Sequence, residues 1–252
     1  MTNSKVIAIT LYRRPEYTRQ MLEALSQCYG IEGYKVLISC DVNPQYQRAC
    51  DEVTMLAYEF ALKHQGTEVF VNSPALGCDL NKLFILPKAY ELSDYVIFIE
   101  DDCVPAAKDT LCFFEQMGER FRDDPTVLSI TAFNRPDHGD GLYTIFYGSR
   151  FTPWGWAMWR DRYDRLVGDG SAYKEHYGSL VNSGFDNWIC INTQPGERHF
   201  GPVQPRIQCI GAEDAEHTPS GSWHMEHMHQ SFGAWQHDLP DPTPEMWHER
   251  NG

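Results

Sequence analysis

Three consecutive carboxylates, Glu100-Asp101-Asp102, follow directly on the apolar run Tyr95–Ile99. Carboxylates held a few ångströms apart raise one another's pKa, and desolvation at a buried strand end adds to the effect, so the triplet needs a compensating charge. A divalent cation supplies it. Mg²⁺ and Mn²⁺ take hard oxygen ligands, commonly one or two carboxylates, and fill the rest of the shell with phosphate oxygens and water. The bland alternative is a solvated acidic loop, and the apolar strand leading straight into the triplet weighs against it. Two further acids stand out. Asp41 lies just beyond the strand-like run Tyr34–Ser39, and Asp186 sits in Gly184-Phe-Asp-Asn-Trp188, either as a free acid or as the cap of a helix starting near Gly184. Trp154, Trp156 and Trp159 fall within six positions. Aromatic faces can pack against a sugar ring while polar neighbours bind its hydroxyls, although for Trp159, beside Arg160, a core role is the better reading.

The elements that must position these groups alternate along the first half of the chain. Short apolar runs at Lys5–Thr10, Tyr34–Ser39, Glu68–Val71 and Tyr95–Ile99 read as strands. Between them lie three helical patterns. Pro15–Cys28 carries Tyr17, Met21, Leu25 and Cys28 on one face, with Pro15 suited to the first turn; Arg48–Leu62 carries Val53, Leu56, Ala57 and Phe60; Leu80–Tyr90 contains Pro87, which should kink or end it. Strands alternating with helices imply an α/β fold with a mostly parallel sheet covered on both faces. Ligands in such sheets bind beyond the carboxyl ends of the strands, which is where Asp41 and the acidic triplet fall. The second half is richer in aromatics and turn residues and reads as an elaborated continuation of a single domain.

Composition limits the partners. The 252 residues carry 21 lysines and arginines against 35 aspartates and glutamates, a net charge of −14. That argues against duplex nucleic acid, which needs basic patches. No run approaches the ~20 apolar residues of a membrane helix. The eight cysteines include no C-x-x-C pair and read as reduced, mostly buried thiols of a cytoplasmic protein. His224, His227 and His229 suggest zinc, but no cysteine spacing completes a structural site and His229 would point away from the other two on a helix.

The stretch "NSPALGCDLNKLFILPKAYELSDYVIFIEDDCVPAAKDTLCFF" resembles the donor half of GT-A glycosyltransferases, bacterial family 2-type enzymes in particular. It is also similar to N-acetylglucosaminyltransferase I and protein O-mannose N-acetylglucosaminyltransferase. The likeness continues in order through "LSITAFNRPDHG", "RFTPWGWAMWRDRYDRL", "GFDNW" and "PRIQCIGAEDAEHTPSGSWHMEH", covering nearly the whole chain. What it implies is a GT-A (Rossmann-like) domain over residues 1–252, with 1–104 as the nucleotide-sugar half and 105–252 as the acceptor half closed by a C-terminal lid loop. It implies that Asp102 ligates Mn²⁺ or Mg²⁺ in a DXD-like motif, with Asp101 near the ribose and Glu100 near the transferred sugar. Asp41 would contact the base, commonly uracil; Arg13, or Arg14 in its place, would flank it; Lys82 would lie in the donor-side helix. Trp156 would stand beside the donor sugar and His217 over the diphosphate. Asp186 would be the general base of an inverting reaction, since a sugar hydroxyl attacks well only when a positioned group takes its proton. Some relatives carry a second acid where this chain has Asn187.

Absent motifs narrow the field: there is no G-x-x-x-x-G-K-[ST], G-x-G-x-x-G, G-x-S-x-G or H-E-x-x-H. The expectation is a metal-dependent glycosyltransferase, of hexosyl or N-acetylhexosaminyl type, taking a UDP-sugar donor and a glycan or glycoconjugate acceptor. Two rivals remain. A sugar-phosphate nucleotidyltransferase usually has a glycine-rich loop after the first strand, and "AITLYRRPE" contains no glycine. A non-catalytic carbohydrate-binding protein would have no use for both the acidic triplet and Asp186.

Overall fold

The computed structural model describes residues 4–134, 144–148, 150–177, 184–211 and 244–249. The first half alternates as β1 (Lys5–Leu11), α1 (Pro15–Leu25), β2 (Tyr34–Asp41), α2 (Gln47–Lys63), β3 (Thr67–Asn72), α3 (Cys78–Leu92) and β4 (Tyr95–Glu100). Next come β5 (Cys103–Pro105), α4 (Thr110–Arg120), β6 (Val127–Thr131), β7 (Thr144–Gly148) and β8 (Trp156–Trp159). The chain continues through α5 (Arg160–Leu166), α6 (Ser171–Tyr177), α7 (Phe185–Asn192), β9 (Arg198–Pro202), β10 (Ile207–Cys209) and β11 (His248–Glu249).

Among the described residues one sheet runs in the order β11-β7-β9-β6-β8-β4-β1-β2-β3, and β5 pairs with β10 in a separate antiparallel ribbon. Strands β3, β2, β1 and β4 are mutually parallel, while β8 enters antiparallel between β4 and β6. Side chains alternate across a strand, so each face of β1 collects its own core. Ile7, Ile9 and Leu11 pack with Met21 and Leu25 of α1, Val53 of α2 and Phe114 of α4. Val6 and Ala8 pack on the other side with Ile85 and Leu86 of α3, Tyr163 of α5 and Phe185 of α7. Both faces are covered, which is why these strands read as unbroken apolar runs.

Two expectations change in detail. Helix α1 ends at Leu25 and not at Cys28: Gln27 and Cys28 donate three residues back, to Ala24 and Leu25, so the last turn tightens and stops. Helix α3 runs on to Leu92 with Pro87 inside it. The antiparallel β7 and β8 were not anticipated. Gly155, just before β8, adopts φ 66°, and a Cβ there would lie 2.2 Å from Ile207 Cδ1, so only glycine fits this junction.

A buried histidine ties the second half of the sheet together. His199 of β9 stands opposite Ser129 of β6; its Nδ1 is 2.7 Å from the Ser129 hydroxyl and its Nε2 3.2 Å from that of Thr193. Burial pushes its pKa down to about 4. Between that value and the ordinary 6.5 the unfolded chain takes up a proton that the folded chain refuses. The stabilisation is therefore complete above about pH 6.5 and lost as the pH falls toward 4, amounting to about 3 kcal/mol at most. Urea unfolding of wild type and His199→Gln checks this. The wild type should lose more stability than the variant between pH 7 and pH 4.5, and parallel losses would refute the assignment.

Candidate functional site

Parallel neighbours end side by side, and this brings the chemistry together. Thr10 of β1 stands opposite Glu100 of β4, so the turn after β1, which carries Arg13 and Arg14, lies against the acidic triplet. Asp101 is buried, and Asp102 is slightly more open. Arg14 bridges them. Its Nε donates to Asp101 Oδ2 at 3.0 Å, its Nη2 to Asp101 Oδ1, and its Nη1 to Asp102 Oδ2 at 2.9 Å. Burial works against the guanidinium, but the Asp101 and Asp102 charges outweigh it and hold its pKa above the ordinary value. For Asp101 desolvation is the larger influence, and its carboxyl is pushed up even against the pull of Arg14. Gly211, two residues beyond the ribbon strand β10, completes the cluster, since a Cβ there would lie 2.2 Å from Asp102 Oδ2.

Glu100 faces a different cation. Its Oε1 is 2.9 Å from Lys82 Nζ, and Lys82 is almost wholly buried on α3. Burial opposes the Lys82 charge, but Cys78, Glu100 and Asp79 more than offset it and hold the ammonium. From Lys82 the links run on to Asp186. Lys82 Nζ is 3.8 Å from Asp79 Oδ1, which accepts from the backbone N–H of Phe185 at 3.2 Å. Asp79 therefore pins the start of α7 to the start of α3. Asp186, in the first turn of α7, is partly exposed and folds back over Gly184, with Oδ1 2.6 Å from where a Gly184 Cβ would stand. Gly184 occupies the N-cap position, so Asp186 is not the cap of this helix.

Arg13 lies over the ring of Tyr46, 4.1 Å from its centroid, and 5.6 Å from that of Tyr12. Tyr46 also borders an open surface depression lined by Gln45, Arg48 and Glu52. Asp41 is buried and satisfied internally: Oδ1 accepts from Asn72 at 3.0 Å and Oδ2 from the Gly77 N–H at 2.8 Å. Burial raises its pKa, and those two donors oppose the shift. It joins the end of β2 to the end of β3 and to the start of α3.

One expectation needs correcting. Trp156 is fully buried, its ring 5.2 Å from Phe98 and stacked at 6.0 Å on Phe185, with Phe151 against it edge-on. Covered in this way, it supports the site from within the core and offers no face to a sugar. Trp154 is the more accessible of the pair and packs on Phe133. His217, the lid loop around it and the His224–His229 cluster lie outside the described residues. Sequence reasoning missed three contributors: the bridge made by Arg14, the platform of Tyr46 and the clamp of Asp79. The pair Arg13-Arg14 before Pro15 was visible, but its partners follow only once β1 and β4 are known to be neighbours.

Among the described residues no three His, Cys, Asp or Glu side chains gather as a complete metal cage. Two carboxylates converging on one cationic group do fit a hard ion that completes its shell with phosphate and water. All eight cysteines are free thiols, and no described helix is long and apolar enough to cross a membrane.

No protein-family model matches the chain, and no curated protein does. Solved structures share the fold at low identity. TarS from S. aureus aligns with a TM-score of 0.53 and 14% identity, over 81% of this chain and 36% of TarS. The mannosyltransferase PcManGT from Pyrobaculum calidifontis, in complex with GDP-Man and Mn²⁺, aligns with a TM-score of 0.49 and 15% identity, over 80% of this chain and 55% of that one. This chain thus spans about a third to a half of their lengths. The fold is the GT-A type: a Rossmann-like, mostly parallel sheet with helices on both faces in a single domain.

Proposed function

We propose that this protein is a metal-dependent, inverting glycosyltransferase that moves a sugar from a UDP-sugar to a hydroxyl of a glycan or glycoconjugate. The observation that carries the reading is the convergence of Asp101 and Asp102 at the adjoining ends of β1 and β4. In an open α/β sheet this edge is where ligands bind. The resemblance to family 2-type and N-acetylglucosaminyltransferase-type enzymes supports an N-acetylhexosaminyl or hexosyl donor. It also supports residues 1–104 as the nucleotide-sugar half and 105–252 as the acceptor half.

Asp102, with Asp101 behind it, would hold Mn²⁺ or Mg²⁺, and the bound ion would neutralise charge on the departing diphosphate. The remaining work falls to side chains. Arg13 on Tyr46 offers a cationic, aromatic edge to the base, and Asp41 fixes the wall beside it. Glu100, held by Lys82, would accept from a hydroxyl of the transferred sugar. Asp186 takes the proton of the attacking hydroxyl, and the resemblance gives His217 a role at the diphosphate. A nucleotidyltransferase is less well served, since the turn after β1 is Tyr12-Arg13-Arg14 with no glycine to wrap a triphosphate. Titrating UDP into the protein with Mn²⁺ and again with EDTA tests the reading. Binding should need the metal, and failure of UDP, GDP, CDP and dTDP alike to bind in Mn²⁺ would sink it.

A further inference from the structure

Arg14 spends its whole guanidinium on the two carboxylates: Nε and Nη2 on Asp101, Nη1 on Asp102 Oδ2. The other buried cation nearby, Lys82, is committed to Glu100. A divalent ion seeking Asp102 therefore meets a lone pair already engaged and a positive charge already in place. An ion on Asp102 Oδ2 would stand within a few ångströms of the guanidinium, and like charges that close oppose one another strongly where water is scarce. The two halves of the bridge also differ. Asp101 is buried and gripped bidentately, whereas Asp102 is more open and held by one nitrogen. A bidentate grip is the stronger and more directional of the two.

We infer that Arg14 is an internal stand-in for the cation. It neutralises Asp102 while the metal is absent, and releases it through Nη1 when the ion enters. As the Asp102 carboxylate turns to the ion, Nη1 is released to the donor's diphosphate while Nε and Nη2 stay on Asp101. The inference rests on the reading of Asp101 and Asp102 as the cation site. The surroundings permit the exchange. Position 211 is glycine where a Cβ would fall 2.2 Å from Asp102 Oδ2 and 3.3 Å from Arg14 Nη1, so residue 211 itself puts no side chain in the way. The Arg14 side chain is a fifth exposed, with its Cζ 5.5 Å from the Tyr17 ring, and so is not sealed from solvent. A guanidinium presented beside a bound diphosphate makes short, charge-assisted bonds to its oxygens. Arg14 is on this account a positioning and binding residue that opposes the metal before the donor arrives and assists the donor afterwards.

The two roles predict shifts of opposite sign. Mn²⁺ binding without nucleotide, followed by electron paramagnetic resonance of the free ion, should tighten about tenfold in Arg14→Gln. UDP binding at saturating Mn²⁺ should weaken in the same variant by about tenfold or more, with Arg14→Lys recovering part of the loss. Mn²⁺ affinity that is unchanged or weaker in Arg14→Gln, or UDP affinity that is unchanged, overturns the inference while leaving the cation site standing. A wild type that binds neither Mn²⁺ nor UDP overturns the cation-site reading and this inference with it. Should Arg14→Gln fail to fold, the wild type decides. The Arg14 Nε–Hε resonance, assigned by its loss in Arg14→Lys, should move on adding Mg²⁺ alone and again on adding UDP. A resonance indifferent to Mg²⁺ contradicts the exchange.

Discussion

Replacing Asp186 with asparagine is expected to lower kcat by about a hundredfold to ten-thousandfold while leaving donor KM nearly unchanged. The amide keeps the shape of the carboxylate and loses only its capacity to take a proton. Because Gly184 holds the N-cap position, no cap is lost. What the helix forgoes is a negative charge in its first turn, about 0.3–1 kcal/mol for an exposed group. Rate and stability therefore separate. Steady-state kinetics beside urea unfolding make the test: a large loss of kcat with a small loss of stability marks the base. A loss of stability with kcat intact would assign Asp186 to structure alone. Asn187, exposed next to it, supplies the control, since Asn187→Asp should not restore the activity lost at position 186.

The largest expected effect on stability lies beneath the site. Asp109 and Arg206 form an ion pair with no exposure on either side, Arg206 Nε lying 3.1 Å from each carboxylate oxygen. Arg206 Nη1 also donates to the Gln204 carbonyl, its Cζ is 4.9 Å from the Trp247 ring, and its own carbonyl accepts from Ala106 and Thr110. Asp109→Asn leaves the guanidinium buried without its carboxylate, which should cost about 3–5 kcal/mol. Arg206 leads into β10, and β10 ends two residues before Gly211, so the loss should also loosen the wall behind Asp102. Urea unfolding checks the size. A change below about 1 kcal/mol would mean that the charge is compensated by another group.

The parallel half of the fold was legible because its physics is repetitive. β1, β2 and β4 are buried on both faces and so read as apolar runs, while α1 and α2 each show one clear stripe. Helix α3 was found but not bounded. Two polar residues, Asn81 and Lys82, are buried in it to serve the site, and this blurs the stripe that would have marked its ends. The antiparallel β8 escaped notice for a related reason. Trp156-Ala-Met-Trp159 is buried at every position and alternates nothing, and its aromatics suggested a ligand surface where the structure puts core. In the candidate site, the position of the acidic triplet followed from strand logic, but its counter-charges did not. Arg14 and Lys82 reach Asp101, Asp102 and Glu100 from 87, 88 and 18 residues away, and contacts of that kind follow from sheet order and not from local pattern.

Calorimetric titration of UDP into wild-type protein and Asp102→Ala, each in Mn²⁺ with an EDTA arm, measures most directly whether Asp102 holds the donor through a cation. The expected result is binding by the wild type in Mn²⁺, none in EDTA, and none by Asp102→Ala in either. Wild-type binding that persists undiminished in EDTA, or an Asp102→Ala variant that binds UDP as tightly as the wild type in Mn²⁺, would contradict it.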